Sequence, residues 1–257
     1  MKIGACISGS YERLLIAKEA GYDYAESHCQ EIVKMAEEDF EKFCSAGFPV
    51  LAANCFIGMK VVGPEKDYGE ISDYLDILFE RSVKLGMKIL VFGSSGARRM
   101  EQGMTLAETR KEIVYFLKEY VAPRAEKTGI TVVIEPLRPE ECNVVNTIAQ
   151  AVEIAGKVNS PYIKVLADVK HMVCSGDDFS NIIKYKDWLA HAHTSNPYPA
   201  PELEKKRTYP AVSDSFNQDE FILPLIEAGV ETCSIEADVI DYKSDCEKSI
   251  EVLRKYR

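Results

Sequence analysis

The sequence predicts a single (β/α)8 barrel over residues 1–257, and three observations carry that prediction. The length matches the usual size of one such barrel, about 250 residues. Five helix-stop glycines recur along the chain, and eight short apolar runs alternate with helical patterns. Alternation of this kind makes a parallel sheet covered by helices, and eight units in this length favour a closed barrel over an open doubly wound sheet.

The elements follow in order. A first strand is expected at 3–7, followed by a helical stretch that ends at Ala20-Gly21-Tyr22 and a second strand at 22–27. Ala46-Gly47-Phe48 closes the next helical stretch and leads into a third strand at 49–56. The segment 67–85 places Ile71, Leu75, Leu78 and Leu85 on one face of a helix. Leu85-Gly86-Met87 then turns into a strand at 88–93, and Thr128-Gly129-Ile130 into one at 130–135. Strands at 163–168 and 188–194 follow, and Ala228-Gly229-Val230 precedes the last at 232–236. In each of the five marks the glycine is placed to adopt the left-handed conformation that stops a helix. Capping-box spacings mark helix starts at Thr105 with Glu108, Thr147 with Gln150, Asn217 with Glu220 and Ser244 with Glu247. The longest irregular piece, 195–216, follows the seventh strand, which on a barrel makes it a loop of the active-site face. It is expected to close over a ligand with Tyr198, Arg207 and Tyr209.

Composition removes several classes. No apolar run approaches the roughly 18 to 20 residues that span a bilayer. The N-terminus, Met1-Lys2-Ile3-Gly4-Ala5-Cys6, lacks the pattern of an export signal. A formal charge of -10 opposes a nucleic-acid partner, because phosphate binding needs a basic surface. The eight cysteines form no Cys-x-x-Cys pair and read as reduced, mostly buried thiols of a cytoplasmic protein. Gly93-Ser94-Ser95-Gly96 lacks the spacing and third glycine of a dinucleotide fingerprint. A homo-oligomer is compatible with all of this.

Four polar residues close the last four predicted strands, where a barrel places its catalytic groups: Glu135, Asp168, His193 and Glu236. Three carboxylates brought together repel unless a cation holds them, and oxygen ligands with one imidazole suit one divalent ion, Mn²⁺, Co²⁺ or Mg²⁺. His191 is read as pointing to the other face of its strand, as a structural group. Glu26, ending the second strand, is a candidate to hydrogen-bond a substrate hydroxyl or to support the rim.

Ile134-Glu135-Pro136, Asp168-Val169-Lys170-His171-Met172, His191-Ala192-His193 and Ser234-Ile235-Glu236 carry a resemblance over nearly the whole chain. In order and spacing they resemble the motifs of the sugar isomerases and epimerases with a xylose-isomerase-like barrel, including tagatose or psicose 3-epimerases and hydroxypyruvate isomerase. The resemblance implies that Glu135, Asp168, His193 and Glu236 are metal ligands, with Glu135 and Glu236 doubling as the acid/base pair. It implies that His171 contacts metal-bound water or a substrate hydroxyl. The family's substrate-binding arginine, expected soon after the seventh-strand histidine, is missing from Thr194-Ser195-Asn196-Pro197-Tyr198-Pro199, and Arg207 is the candidate to replace it.

With a divalent ion polarising a ketone, two carboxylates on opposite sides of a small sugar or polyol can exchange a proton at the adjacent carbon through an enediolate. Return from the opposite face gives epimerisation, return to the neighbouring carbon gives aldose–ketose isomerisation, and loss of hydroxide gives dehydration of an inosose-type ketone. A metal-dependent endonuclease of the endonuclease IV type shares the barrel but recruits extra histidines. At the ends of the third and fourth strands this chain has Asn54 and Gly93, and it has only four histidines in all. A binding barrel without activity is the third reading, opposed by the intact Glu135 and Glu236.

Overall fold

The computed structural model describes residues 1–197, 207–211 and 216–257. Eight parallel strands close into a barrel in sequence order: β1 (Lys2–Cys6), β2 (Tyr24–His28), β3 (Val50–Asn54), β4 (Ile89–Phe92), β5 (Thr131–Ile134), β6 (Ile163–Asp168), β7 (Leu189–Thr194) and β8 (Thr232–Ile235). Each falls where the sequence places it, and β8 pairs with β1 to complete the ring. Helices run between the strands: α1 (Tyr11–Ala20), α2 (Cys29–Lys34), α3 (Glu37–Cys44), α4 (Tyr68–Leu85), α5 (Ser95–Arg98) and α6 (Leu106–Phe116). The second half adds α7 (Ala122–Thr128), α8 (Ile148–Val158), α9 (Val169–Ser175), α10 (Ser180–Lys184), α11 (Asp219–Glu227) and α12 (Tyr242–Leu253). No helix among the described residues is long and apolar enough to cross a membrane.

The five marker glycines, Gly21, Gly47, Gly86, Gly129 and Gly229, all have φ between 60° and 87°. Such backbone is open to glycine without the steric cost that a Cβ brings. Ile71, Leu75 and Leu78 of α4 are fully buried, as their spacing requires. Thr105 and Glu108 form the reciprocal capping box. At α8, Thr147 takes the Gln150 N–H, but the Gln150 side chain turns to the Asn146 N–H instead. The other two boxes fail. Helix α12 starts earlier than Ser244, because Asp241 upstream accepts the Ser244 N–H at 2.9 Å and caps the helix first. Helix α11 starts at Asp219, whose N–H goes to the Asn217 side chain at 3.1 Å.

Buried apolar residues separate into two cores. The large one lies between strands and helices, while Tyr24, Ala52, Ile89, Val91, Val133 and Leu166 form a small plug inside the barrel. Tyr24 crosses the interior to the Ser234 hydroxyl at 2.9 Å. A Cβ on Gly4 would meet its ring at 2.4 Å, so β1 is held to glycine there. Side chains two apart on a strand share a face. Two residues after the plug positions Tyr24, Ala52, Val91, Val133 and Leu166 come Glu26, Asn54, Gly93, Glu135 and Asp168. The plug is therefore the floor on which the site stands. Cysteines stay unpaired, and five of the eight are buried.

Candidate metal centre and active site

The four predicted ligands meet. His193 Nδ1 lies 3.1 Å from Glu135 Oε1, 3.1 Å from Glu236 Oε2 and 3.7 Å from Asp168 Oδ2. These donor atoms all lie within 4.8 Å of one another, on four consecutive strand ends. Three carboxylate oxygens and one imidazole nitrogen form a hard, anionic donor set of the kind that holds a divalent cation. Asp168 shows why the Asp-x-x-His spacing suits this place. Its Oδ1 caps α9 by accepting the His171 N–H at 2.8 Å, which leaves Oδ2 turned to the centre.

Glu135 reaches the centre across β4. A Cβ on Gly93 would sit 2.1 Å from Glu135 Oε2, so the strand end must carry no side chain. A histidine there, as a multi-metal nuclease site requires, cannot coexist with Glu135 in this position. The Glu135 carbonyl accepts from the Arg98 guanidinium, which is fully buried and rests on the Phe92 ring. Glu236 is fixed from the opposite side by Asn54, whose Nδ2–H donates to Oε1 at 2.9 Å. Asn54 and Arg98 were invisible as site residues in the sequence. Asn54 sits at a strand end with the right face, but Arg98 carries no spacing signal at all.

His171 accepts the Arg138 N–H on Nδ1 at 3.1 Å, which leaves Nε2 as the donor, 4.0 Å from Glu135 Oε1. Arg207 is brought to the centre: Nη1–H donates to Asp168 Oδ2 at 2.7 Å and Nη2–H to Glu236 Oε2. The segment carrying it is pinned by Asp238, which accepts the Arg207 N–H at 2.9 Å and donates its own N–H to the Arg207 carbonyl at 2.8 Å. Next to it, the Asn196 N–H reaches the Thr208 carbonyl at 2.8 Å. Tyr209 is not over the cleft, because it is buried edge-on against Tyr242 at 6.2 Å. Tyr198 and most of the expected closing loop, 198–206 and 212–215, lie outside the described residues.

Two expectations need correction. His191 does not face away from His193; residues two apart share a face, and the two rings meet at 5.3 Å between centroids. Glu26 is fully buried, and both of its oxygens are engaged, one by each of these histidines at 2.9 Å. Fully buried and absent from the cleft lining, it is out of reach of a substrate hydroxyl and supports His193 instead.

Burial alone would push the Glu26 carboxyl up, but the imidazoles of His193 and His191 outweigh it and hold its pKa at about 2. Burial drives Glu236 upward as well, and the Arg207 guanidinium and His193 reverse that, keeping it well below the usual range. His193 itself is pushed down by burial and raised further by Glu26 and Glu236, ending well above 6.5. Each shift has the same source: negative oxygens crowded in a dry place and compensated by cations.

The centre opens into a cleft of about 300 Å³, small for a ligand site, where about 300–1,000 Å³ is usual. One wall is acidic, with Glu135, Glu236 and Glu141, and the other is the small-residue turn Gly93-Ser94-Ser95-Gly96-Ala97. Among the described residues, three of the four non-glycine positions with positive φ, Ser8, Cys55 and Ser94, follow β1, β3 and β4 on this same face. Backbone in that region is disfavoured for side-chain-bearing residues and gathers at functional rims.

A family model described as a xylose isomerase-like TIM barrel matches residues 14–256. Comparison with curated proteins by sequence gives no match. Among solved structures, the chain superposes on 3-keto-D-glucoside 4-epimerase, YcjR, from E. coli with a TM-score of 0.80 at 20% identity, covering 99% of each chain. It superposes on a D-psicose 3-epimerase, solved in the presence of D-fructose, with a TM-score of 0.83 at 18% identity, covering 100% of this chain and 98% of that one. The IolI protein with a bound zinc atom gives 0.73 at 21% identity over 100% and 96%.

Proposed function

The chain belongs to the xylose isomerase-like TIM barrel family, and from that premise we propose that it is a divalent-metal-dependent isomerase or epimerase of a small ketose or related keto-polyol. The observation that carries this reading is the approach of two carboxylates to one point from different strands, Glu135 after β5 and Glu236 after β8, each 3.1 Å from His193 Nδ1. The epimerase activities of the structural neighbours support the substrate class, and the bound zinc of the IolI neighbour supports the metal.

Glu135, Asp168, His193 and Glu236 would hold the ion, which would supply Lewis acidity toward the substrate carbonyl. Glu135 and Glu236 flank the bound carbon, so one abstracts its proton while the other delivers a proton to the opposite face. Asn54 holds one Glu236 oxygen and Arg207 the other, so the two side chains together orient the carboxylate that exchanges the proton. His171 presents Nε2–H beside Glu135 and donates to a substrate hydroxyl. Arg207 donates to substrate oxygens on the Glu236 side and adds positive charge where the enediolate develops. The acidic wall and the absence of a second cation in the cleft among the described residues favour an unphosphorylated substrate.

The test is proton exchange. Ketoses and keto-inositols incubated with the protein and Mn²⁺ in deuterated water should gain deuterium at the carbon beside the carbonyl. Product analysis then separates epimers, aldoses and dehydration products. Glu135→Gln and Glu236→Gln, assayed with metal occupancy measured, should each lose turnover by several orders of magnitude. Exchange at the parent rate in a loaded variant rejects the acid/base pair.

A further inference from the structure

Beneath the ligand set runs a buried hydrogen-bonded chain that ends on the ligand His193: Thr232, His191, Glu26 and His193, from β8, β7, β2 and β7 again. All but Thr232 are fully buried. His193 Nε2 is 2.9 Å from Glu26 Oε1, and His191 Nε2 is 2.9 Å from Glu26 Oε2. On the far side of His191, Nδ1 lies 2.8 Å from the Thr232 hydroxyl and 3.1 Å from its carbonyl. We propose that Glu26 and His191 are positioning residues that dictate which nitrogen of His193 carries its proton, and thereby make Nδ1 a metal ligand.

The argument is one of donors and acceptors. An ionised carboxylate only accepts, so each nitrogen facing Glu26 must be an N–H. That holds a proton on Nε2, so when an ion displaces the Nδ1 proton shared with Glu135 and Glu236 at 3.1 Å, the lone pair it exposes is already aimed among Glu135, Asp168 and Glu236. The opposite tautomer would put a lone pair against a carboxylate lone pair and a proton where the ion sits. His191 blocks the escape from this arrangement. By occupying Oε2, it prevents Glu26 from rotating away, and the Thr232 hydroxyl in turn supplies the donor that His191 Nδ1 accepts when neutral. A ligating histidine whose second nitrogen donates to a carboxylate is held in both tautomer and ring orientation, and loss of such a partner lowers metal affinity by about 10- to 100-fold.

The cluster Glu26, His191 and His193 also has the composition of a metal site in its own right. Its geometry argues otherwise. The cluster offers two imidazoles but a single carboxylate, each of whose oxygens is taken by one histidine, so it lacks the surplus of negative oxygens that Glu135, Asp168 and Glu236 gather around His193 Nδ1.

This inference rests on the metal reading of the site, and the experiment separates the two. Free Mn²⁺ is counted by electron paramagnetic resonance while the full-length protein is titrated, and histidine ring ¹⁵N shifts are recorded with Mg²⁺ bound. With four histidines in the chain, each ring can be assigned. The parent protein should bind about one Mn²⁺ and show His193 protonated at Nε2. Glu26→Gln offers one acceptor and one donor where two acceptors are needed, so Mn²⁺ affinity should fall by about 10- to 100-fold. His191→Gln, which keeps an N–H toward Glu26, should retain more affinity than His191→Leu. A Glu26→Gln variant that binds Mn²⁺ as tightly as the parent overturns the proposal while leaving the metal site standing. If that variant does not fold, the parent spectrum alone decides, since a His193 proton on Nδ1 overturns the proposal. A parent protein that binds no Mn²⁺ overturns both readings.

Discussion

At the scale of single residues, Gly93 is the most restrictive position in the site. Its missing Cβ is replaced in space by Glu135 Oε2, 2.1 Å from where that carbon would stand. Gly93→Ala should therefore move the carboxylate rather than the backbone, since the side chain is the part that can turn. A displacement of about 1 Å in a catalytic group can cost about a hundredfold in rate. We expect that variant to lose turnover by about 10- to 100-fold with its melting temperature nearly unchanged, measured by steady-state kinetics beside a thermal melt; full activity would show that Glu135 does not need this space. The convergence of Glu135, Asp168, His193 and Glu236 was legible in the sequence because each ends an apolar run of a predicted strand. Asn54 and Gly93 were noticed only as the wrong residues for a nuclease, and their real task, shaping Glu236 and Glu135, depends on contacts across the ring that no linear spacing records. The error at His191 was of another kind: the period of two was available and places it with His193.

At the scale of elements, the connection after β7 places the Arg207 guanidinium at the centre, against Asp168 and Glu236. Arg207 lies fourteen positions after His193, and it is secured by one side-chain and one backbone bond to Asp238 and by the Asn196–Thr208 bridge. Asp238→Ala removes one of these bonds without touching the guanidinium. A hydrogen bond contributes about 0.5–1.5 kcal/mol, so KM should rise by about two- to tenfold while kcat changes little. A variant whose KM is unchanged would mean that Arg207 is held by its carboxylate partners alone. Strand and helix positions were readable because glycine stops and apolar periodicity are local signals. The start of α12 was misplaced because Asp241, upstream of Ser244, takes the Ser244 N–H first, and that of α11 because Asn217 takes the Asp219 N–H and the helix begins only there; spacing alone does not rank such alternatives.

For the whole molecule, the site is a local excess of negative charge inside a protein that is already at -10. Arg207 and His193 offset part of it, and an ion bound only by the folded barrel adds stability by mass action. At a metal concentration one hundred times Kd the gain is about 2.7 kcal/mol, or about 5–10 °C in a chain of this size. Chelation should lower the melting temperature by that amount in the parent and by far less in Asp168→Ala; equal shifts in both would place the stabilising ion elsewhere. The closed barrel was the most legible feature of all, since eight alternating units leave few other topologies.

All four ligands lie on β5 to β8, yet the groups that hold three of them in place, Glu26, Asn54 and Gly93, belong to β2, β3 and β4. On the proposed reading, the half that carries the ligands would therefore present them in this arrangement only once the other half has docked. Capture of an ion there would be a late event of assembly, and a tightly held ion a sign that the barrel is complete.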